Sequence, residues 1–342
     1  MILVTGGTGL VGSHLLYQLV LQNKSVVAIH RKKGNLSQSF GSVKNVFSYY
    51  TDNFEALFSS IIWVEADITD ITSLTVAFQN ITHVYHCAAM ISFGRKDYRK
   101  MRKINIEGTA NIVNLCIAKQ IKKLCFVSSV AAVGKPLIGN QITEDNEWNI
   151  AENNSGYAIT KYGSENEVWR ASQEGVDVVI VNPGVILGGG FWKSGSGKLF
   201  DKTYKGFKFY TEGVTGFVSV IDVAKVMTQL MQSSIKNERY LLVSENVSFK
   251  TVFFAIADGF KKKRPSVKVN KLMSGIAWRL GWLLSKLNGK EPLITKQSAN
   301  SSHSHSHYSN TKIKEAIDFQ FLSLEETILA TCKDYMKDIK NY

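Results

Sequence analysis

In the first half of the chain, short apolar runs alternate with segments in which apolar residues recur every three or four positions. The runs are rich in Val and Ile and lie at 2–4, 25–29, 61–65, 83–87, 123–127 and 176–181. Between most of them lie the periodic segments, at 10–23, 70–79, 100–120 and 156–173. Continuous apolar runs are typical of strands buried on both faces, and the periodic segments are typical of helices. We therefore predict an α/β fold in which helices cover both faces of a parallel sheet.

From residue 184 onward this alternation ends. The stretch GVILGGGFWKSGSGK (184–198) is rich in glycine and predicts a loop. Beyond it, one more helix and one more strand are predicted at 220–233 and 239–244, and the remaining pattern is helical at 248–258, 271–287 and 323–340. A chain of 342 residues is long enough for two units. We expect a first domain at 1–183 plus 216–247, and a smaller, mostly helical C-terminal lobe at 184–215 plus 248–342.

Glycines lie between the first predicted strand and the first predicted helix, in TGGTGLVG (5–12). They are spaced three apart, and the segment also satisfies G-x-G-x-x-G. In this position glycines let the backbone approach a pyrophosphate, and the helix N-terminus offers amide donors. The segment predicts a Rossmann-type, doubly wound dinucleotide-binding domain, with the second lobe left to bind substrate. The residues predicted to contact the dinucleotide here are Thr5, Gly6, Gly7, Thr8, Gly9, Leu10, Val11 and Gly12.

The end of the second predicted strand bears on which dinucleotide fits. A site for NAD usually places Asp or Glu there to bind the ribose 2′-hydroxyl. Here the strand runs into His30, Arg31, Lys32 and Lys33. A cationic run suits a 2′-phosphate, and the Arg31 guanidinium is suited to bidentate contact. NADP(H) is thus favoured, with NAD(H) as the alternative and a solvated basic loop as the plain interpretation of the run.

A tyrosine and a lysine four residues apart occur three times, at Tyr157/Lys161, Tyr204/Lys208 and Tyr308/Lys312. Gly206 interrupts the second pair, and turn-forming residues at 309–311 separate the third. Only Tyr157 and Lys161 lie in one continuous helical segment, so they share a helix face. A nearby cation lowers the pKa of a phenol, which suits a proton donor to a developing alkoxide. We predict Tyr157 as the general acid/base and Lys161 as its partner.

These motifs, taken in order, resemble the extended branch of the short-chain dehydrogenase/reductase superfamily, the NAD-dependent epimerase/dehydratase family. The resemblance covers essentially the whole chain. It rests on TGGTGLVG (5–12), ADITD (66–70), HCAAM (86–90), NIEGTANIVN (105–114), FVSSVAAVG (126–134), YAITKYGSE (157–165), NPGVILG (182–188) and FVSVIDVAKVM (217–227).

The resemblance implies further site residues. Family spacing to Gly134 selects Ser129 rather than Ser128 as the catalytic serine, and Asn105 is implied to anchor a water relay to Lys161. A plain helix N-cap is the alternative role of Asn105. The family also implies a homodimer that pairs through 97–120 and 156–173. The remaining residues implied to line the cofactor, besides Tyr157 and Lys161, are Asp67 (facing the adenine), Ile68, Cys87, Ala88, Ala89, Val127, Pro183, Gly184 and Val185.

The C-terminal motifs narrow the branch. NGKEPLITKQSAN (288–300) and HYSNTKIKEAIDFQFLSLEETI (307–328) resemble dihydroflavonol reductase-like and hydroxysteroid dehydrogenase-like members. Val130-Ala131 stands where sugar dehydratases carry an acidic pair, which disfavours dehydration. We expect an NADP-dependent oxidoreductase acting on a carbonyl or hydroxyl of a small, fairly apolar substrate.

Two other functions stay open. A nucleotide-sugar epimerase with tightly bound cofactor would need cations for a diphosphate, and Lys193, Lys198, Lys202 and Lys205 are candidates. A non-catalytic NADP-binding regulator is the other alternative. The intact serine, tyrosine and lysine argue against it, because a regulator does not need a proton-transfer set.

The net charge of +13 comes from 41 Lys/Arg against 28 Asp/Glu, and its densest cluster is KKKRPSVKVNK (261–271). No nucleic-acid motif surrounds this cluster, so nucleic-acid binding is not expected. The following segment, 271–287, predicts a largely apolar helix with a more polar stripe of Ser274, Trp278, Arg279, Trp282 and Ser285. We expect it to pack in its lobe or cover an apolar pocket, with docking on a membrane surface as the alternative.

Cysteine and histidine add little chemistry. Cys87, Cys116, Cys125 and Cys332 form no CxxC pair, which favours a reducing cytoplasm. His303, His305 and His307 alternate and would share one face of a strand, but neighbours about 6.5 Å apart seldom converge on one ion. We expect an exposed strand there and no metal.

Overall fold

The computed structural model describes residues 1–31, 36–136, 139, 141–288 and 295–340. Its strands, in chain order, are β1 (Ile2–Thr5), β2 (Val26–His30), β3 (Ile62–Glu65), β4 (His83–His86), β5 (Lys123–Val127), β6 (Gln141–Ile142), β7 (Asp177–Pro183), β8 (Val185–Leu187), β9 (Phe209–Tyr210), β10 (Val214–Ser219), β11 (Glu238–Leu242), β12 (Glu245–Ser248), β13 (Val267–Lys268) and β14 (His307–Tyr308).

The α-helices are α1 (Leu10–Leu21), α2 (Leu36–Ser48), α3 (Phe54–Ser59), α4 (Ile71–Ala77), α5 (Tyr98–Arg102), α6 (Gly108–Ala118), α7 (Gly156–Gln173), α8 (Gly197–Tyr204), α9 (Val220–Gln232), α10 (Phe249–Gly259), α11 (Lys271–Asn288), α12 (Lys296–Ser301), α13 (Thr311–Ile317) and α14 (Leu324–Lys340). Short 3₁₀ turns span Arg95–Asp97 and Val130–Ala132, and a π-helical turn, Lys103–Glu107, joins α5 to α6.

Among the described residues, seven strands form one parallel sheet in the order β11-β7-β5-β4-β1-β2-β3. Because side chains alternate along a strand, each strand feeds both faces. Val4, Tyr85 and Cys125 join one core with α1, α2 and α9, whereas their neighbours Leu3, Val84 and Leu124 join another with α4, α6 and α7. The predicted doubly wound α/β fold is therefore confirmed.

The main differences from the predicted elements lie between β2 and β3 and in the predicted helix 100–120. The segment between those strands folds as α2 and α3, which the periodicity did not predict. The helix at 100–120 is interrupted by the π-helical turn. The glycine-rich stretch, predicted as a loop, starts with strand β8 and is a loop only over 188–196, since α8 begins at Gly197. No helix among the described residues is long and apolar enough to cross a lipid bilayer.

The second lobe has its own small sheet and core. Strands β12, β10 and β8 form a three-stranded sheet, which starts two residues after β7 leaves the large one. Helices α8, α10 and α14 pack on it through buried residues such as Phe200, Ile256 and Ile328. The exact domain boundaries stay a prediction.

The histidine segment is not one continuous strand. His303 lies in the turn after α12, His305 forms a single bridge to Val214, and only His307 belongs to β14. The expectation of three histidines on one strand face is therefore wrong, because the backbone turns before the strand begins.

Candidate active site

The glycine turn between β1 and α1 is shaped by close backbone contacts. Gly6 has φ +70°, and a Cβ there would lie 2.7 Å from the Ala88 amide nitrogen at the end of β4. A Cβ on Gly12 would overlap the Gly6 carbonyl, whereas one on Gly9 would meet only that carbonyl, at 3.4 Å. No side chain among the described residues caps α1 at Gly9. The turn thus leaves an open approach to the amide groups of a helix N-terminus, which suits a phosphate.

Thr5 positions the end of β4 rather than facing open space. It is fully buried; its hydroxyl accepts a hydrogen bond from the Ala88 amide (3.2 Å) and lies 2.6 Å from His86 Nδ1. The other ring nitrogen of His86 lies 2.9 Å from the Thr109 hydroxyl on α6. Burial, assisted by the Lys161 charge, lowers the pKa of His86 to about 3, so the ring is neutral. His86, whose role the sequence did not predict, joins β1, β4 and α6 behind Cys87, Ala88 and Ala89.

The residues predicted on the adenine side meet at the ends of β2 and β3. The Ala66 amide donates to the His30 carbonyl (2.9 Å), and the His30 ring packs against Phe40. Arg31 is exposed next to it, and Lys32 lies outside the described residues. Asp67 accepts hydrogen bonds from the amide and hydroxyl of Thr69, both at 2.8 Å. Ile68 is buried against Gly108.

Two adjacent serines at the end of β5 take different roles. The buried Ser128 hydroxyl donates to Glu165 Oε2 at 2.7 Å. The Ser129 side chain lies close enough to Tyr157 to lower the pKa of its phenol, and its hydroxyl accepts a hydrogen bond from the Ala131 amide at 3.1 Å. The structure therefore brings Ser129, and not Ser128, next to the tyrosine.

Tyr157 and Lys161 lie in the first turns of α7, whose N-terminus is capped by Ser155. Burial raises the pKa of Tyr157, and the nearby Ser129 side chain opposes that rise. The lowered tyrosine pKa expected from a neighbouring cation is thus not found. The Lys161 ammonium donates to the Val127 carbonyl at 2.7 Å and lies 4.4 Å from the centre of the Phe126 ring. Burial lowers the pKa of Lys161 to about 8, and the charge of Glu165 opposes that fall.

Glu165 is the site residue that sequence reasoning missed. It follows Lys161 by one helical turn, is buried, and accepts hydrogen bonds from Ser128, from Asn182 (2.9 Å) and from Arg239 (3.1 Å). We call these four residues the Glu165 network. The spacing of four from Lys161 was visible in the sequence, but the partners come from β5, β7 and β11. Only the tertiary structure identifies this carboxylate as a buried one.

Asn105 lies in the π-helical turn, inside the long helical segment that starts at Tyr98. Its side-chain amide accepts from the Met90 amide (2.7 Å) and donates to the Met90 carbonyl (2.9 Å) and the Thr160 hydroxyl (3.0 Å). The alternative role as an N-cap is therefore wrong, because the residue is mid-helix. Such π turns often mark functional sites. The contact with Lys161 is not direct, so the water relay stays a prediction.

Apolar groups lie beside the tyrosine. The Phe93 ring meets the Tyr157 ring edge to face, with centroids 6.3 Å apart, and both Phe93 and Ile91 are exposed. A cavity of about 140 Å³ is lined by apolar residues such as Val130, Ala131 and Ala158 and also by the polar residues Lys135, Asn149 and Glu152. At the end of β7, a Cβ on Gly184 would overlap the Gly216 carbonyl, so the chain passes tightly from Pro183 into Val185.

The other two tyrosine–lysine pairs do not share a helix face, as predicted. Tyr204 ends α8, and Gly206 follows it with φ +84°. Tyr308 is in β14, whereas Lys312 is in α13 and forms an ion pair with Glu238 at 2.6 Å.

The fold and the Ser129–Tyr157–Lys161 arrangement define the class as the NAD(P)-dependent short-chain dehydrogenase/reductase enzymes. The model of the NAD dependent epimerase/dehydratase family matches residues 2–242, and the chain belongs to that family. The extended-branch assignment made from the motifs is thereby confirmed.

Individual relatives are distant. The chain is 27% identical to sterol demethylase protein B of Methylococcus capsulatus, over 80% of this chain and 79% of that protein. It is 26% identical to a putative dihydroflavonol 4-reductase of Synechocystis, over 95% of this chain and 91% of that protein. Among solved structures, UDP-glucose 4-epimerase from Thermotoga maritima with UDP-glucose has a TM-score of 0.76 at 20% identity, covering 99% of both chains.

Proposed function

We propose that the protein is an NADP(H)-dependent oxidoreductase that reduces a carbonyl, or oxidises the corresponding hydroxyl, on a small and fairly apolar substrate. The observation that carries this proposal is the proximity of the Ser129 and Tyr157 side chains, which are bordered by Phe93 and the aliphatic residues Val130 and Ala131.

Residues of this chain fit a dinucleotide. The open approach at Gly9 suits the pyrophosphate, because a side chain there would narrow the space in front of the α1 amides. The end of β2 continues into basic residues, and the exposed Arg31 suits a ribose 2′-phosphate. We therefore favour NADP(H) over NAD(H).

The chain's own residues supply proton transfer and orientation. The bound dinucleotide supplies or accepts the hydride. The Ser129 hydroxyl holds the carbonyl oxygen, and the Tyr157 hydroxyl donates a proton to that oxygen as negative charge develops on it. Below a pH of about 8 the Lys161 ammonium is retained, and from its place one helical turn after Tyr157 it would hold the nicotinamide ribose of the bound dinucleotide. Asn105 holds the Met90 loop against α7 and is our candidate anchor for returning a proton through water.

A nucleotide-sugar epimerase is the second candidate, supported by the family and by the likeness to UDP-glucose 4-epimerase. The contacts of the lysines proposed to bind a diphosphate disfavour the epimerase. Lys205 forms an ion pair with Asp201 at 2.7 Å, and the Lys202 ammonium lies 5.5 Å from the centre of the Phe207 ring. Two of the four candidate lysines are thus already in contact with groups of their own lobe.

The test is cofactor oxidation at 340 nm with a panel of cyclic and aromatic carbonyl compounds. We expect stoichiometric NADPH consumption, and NADPH bound at least about tenfold more tightly than NADH. Tyr157→Phe should lower turnover at least about 10²-fold with cofactor binding nearly unchanged, because only proton donation is lost. Tyr204→Phe is the matched control and should stay within about threefold. Near-native turnover of Tyr157→Phe would overturn the mechanism. Interconversion of nucleotide sugars without net NADPH loss would replace it with epimerisation.

A further inference from the structure

The helix α11 presents its apolar side to solvent. Leu272, Ile276 and Leu280 are spaced four apart and form one stripe, with Met273 beside it, and all four are exposed, Leu272 by 73%. On the opposite side, the buried Ser274 hydroxyl lies 2.8 Å from His303 Nε2 in the turn after α12. The helix is thus attached to its lobe through a polar contact, and its apolar stripe faces away from that contact.

Exposed apolar residues also lie on the strand pair that precedes the helix in the chain. β13 pairs with β9, which places the exposed Val267 directly beside the exposed Phe209. Two residues after β13, Asn270 accepts a hydrogen bond from the Met273 amide and the helix begins. We use the name docking face for Phe209, Val267, Leu272, Met273, Ile276 and Leu280. A group of large apolar side chains exposed in one part of a lobe is uncommon unless it meets a partner.

Positive charge accompanies the docking face. Residues 261–280 contain seven Lys/Arg and no Asp/Glu. Two of these cations are balanced from outside the segment, Arg264 by Asp258 (2.7 Å) and Lys268 by Glu212. The other five leave a strong excess, and Lys261, Lys262, Lys263 and Lys271 are all exposed. The face therefore combines a basic segment with an adjoining apolar stripe.

We propose that the docking face lies on an anionic lipid surface, with its apolar side chains at the boundary of headgroups and acyl chains and its lysines against the headgroups. An amphipathic helix with cations at its margin binds such a surface through burial of apolar area and through attraction to the anionic headgroups. Nucleic acid would use the lysines but would leave the apolar stripe in water. A second copy of this chain would bring two basic segments together, which costs free energy through repulsion. The inference does not depend on the reaction that the protein catalyses.

The test is cosedimentation of the full-length protein with vesicles of phosphatidylcholine mixed with phosphatidylglycerol, and with vesicles of phosphatidylcholine alone. We expect binding to the anionic vesicles, weaker binding at high salt, and much less binding to the neutral ones. The variant L272S/I276S/L280S should bind anionic vesicles at least about tenfold more weakly, because the buried apolar area is lost. The variant K261Q/K263Q/K271Q should also bind at least about tenfold more weakly, but only at low salt.

Matched controls distinguish binding through the docking face from non-specific binding by other exposed residues. The variant L21S/I71S/V76S removes exposed apolar residues of the first domain, and K24Q/K119Q/K122Q removes exposed cations there. Both should bind vesicles like the native protein, and all variants should keep the native circular dichroism spectrum. Absence of native binding to anionic vesicles, or equal binding by L272S/I276S/L280S, would overturn the proposal. Concentration-dependent dimerisation lost in L272S/I276S/L280S, without vesicle binding, would assign the face to a second copy instead.

Discussion

Two helices of equal length, α7 and α11, each span 18 residues and each depart from the usual amphipathic arrangement in the opposite sense. On α7 the inward side carries Lys161, Ser164 and Glu165, all buried. On α11 the outward side carries Leu272, Ile276 and Leu280, all exposed. Buried charge and exposed apolar surface are both unfavourable unless something compensates.

The compensation differs between the two helices. On α7 it comes from within the chain, because Glu165 and Lys161 both have hydrogen-bond partners. On α11 the compensation would come from outside the chain, since the apolar stripe lies on the side away from the Ser274–His303 contact. Departures from the amphipathic rule therefore indicate a reaction site in one case and a docking surface in the other.

The prediction with the largest expected effect replaces a buried charged side chain by an apolar one, and an exposed apolar side chain by a charged one. Glu165→Leu leaves the buried Ser128 hydroxyl without its acceptor and the Arg239 charge without its carboxylate, so we expect a loss of about 3 kcal/mol in the free energy of unfolding. Leu272→Glu, on the exposed stripe, should change it by no more than about 0.5 kcal/mol. Urea unfolding of both variants measures this. A large loss in Leu272→Glu would show that the α11 face is covered in solution.

A second test concerns the charge on Lys161. The ammonium form is present below its pKa of about 8, so kcat/KM should fall as the pH rises through that value. Glu165→Gln removes the carboxylate that raises this pKa, which moves the fall to lower pH. We expect about tenfold lower kcat/KM at alkaline pH for a shift of one unit. Glu167→Gln, on the same helix but in an ion pair with Arg170 at 3.0 Å, is the control and should keep the native profile. An unchanged pH profile of kcat/KM in Glu165→Gln would show that Glu165 does not affect the pKa of Lys161.

The smallest expected effect compares two phenylalanines that are equally exposed, Phe93 and Phe209, both at 45%. Phe93 meets the Tyr157 ring, so Phe93→Ala should raise KM for an aromatic carbonyl by about threefold to tenfold. Phe209 belongs to the docking face, so Phe209→Ala should leave KM unchanged. Steady-state kinetics at saturating cofactor measures KM for both variants. A KM change in Phe209→Ala would show that the docking face and the active site are coupled.

The sequence predicted what depends on local pattern. Buried strands such as β5 and β7 leave continuous apolar runs, and the glycine turn needs small residues because the backbone at Ala88 is so close to Gly6. Helix α2 was missed although its buried Val43, Val46 and Phe47 have helical spacing, because the segment around them contains poor helix formers such as Gly41 and Ser48.

What depends on tertiary contact was not predictable in this way. His86 and Glu165 are recognisable as buried polar residues only through partners 17 to 81 positions away. The direction in which α11 faces was equally hidden, because periodicity reveals an apolar stripe but not whether the protein or the solvent lies opposite it. Ser129 and Ser128 could be separated in advance only by family spacing, since identical neighbours carry no local signal.

The Glu165 network also has a consequence for the entropy of the reaction. Ser128, Asn182 and Arg239 restrain Glu165 in three directions, and through α7 they restrict the rotamers available to the lysine and tyrosine one and two turns earlier. Ordering these side chains is then a cost of folding and not of reaching the transition state. The donors come from the end of β5, from β7 and from β11. One edge of the sheet therefore holds the Tyr157 hydroxyl in a fixed position.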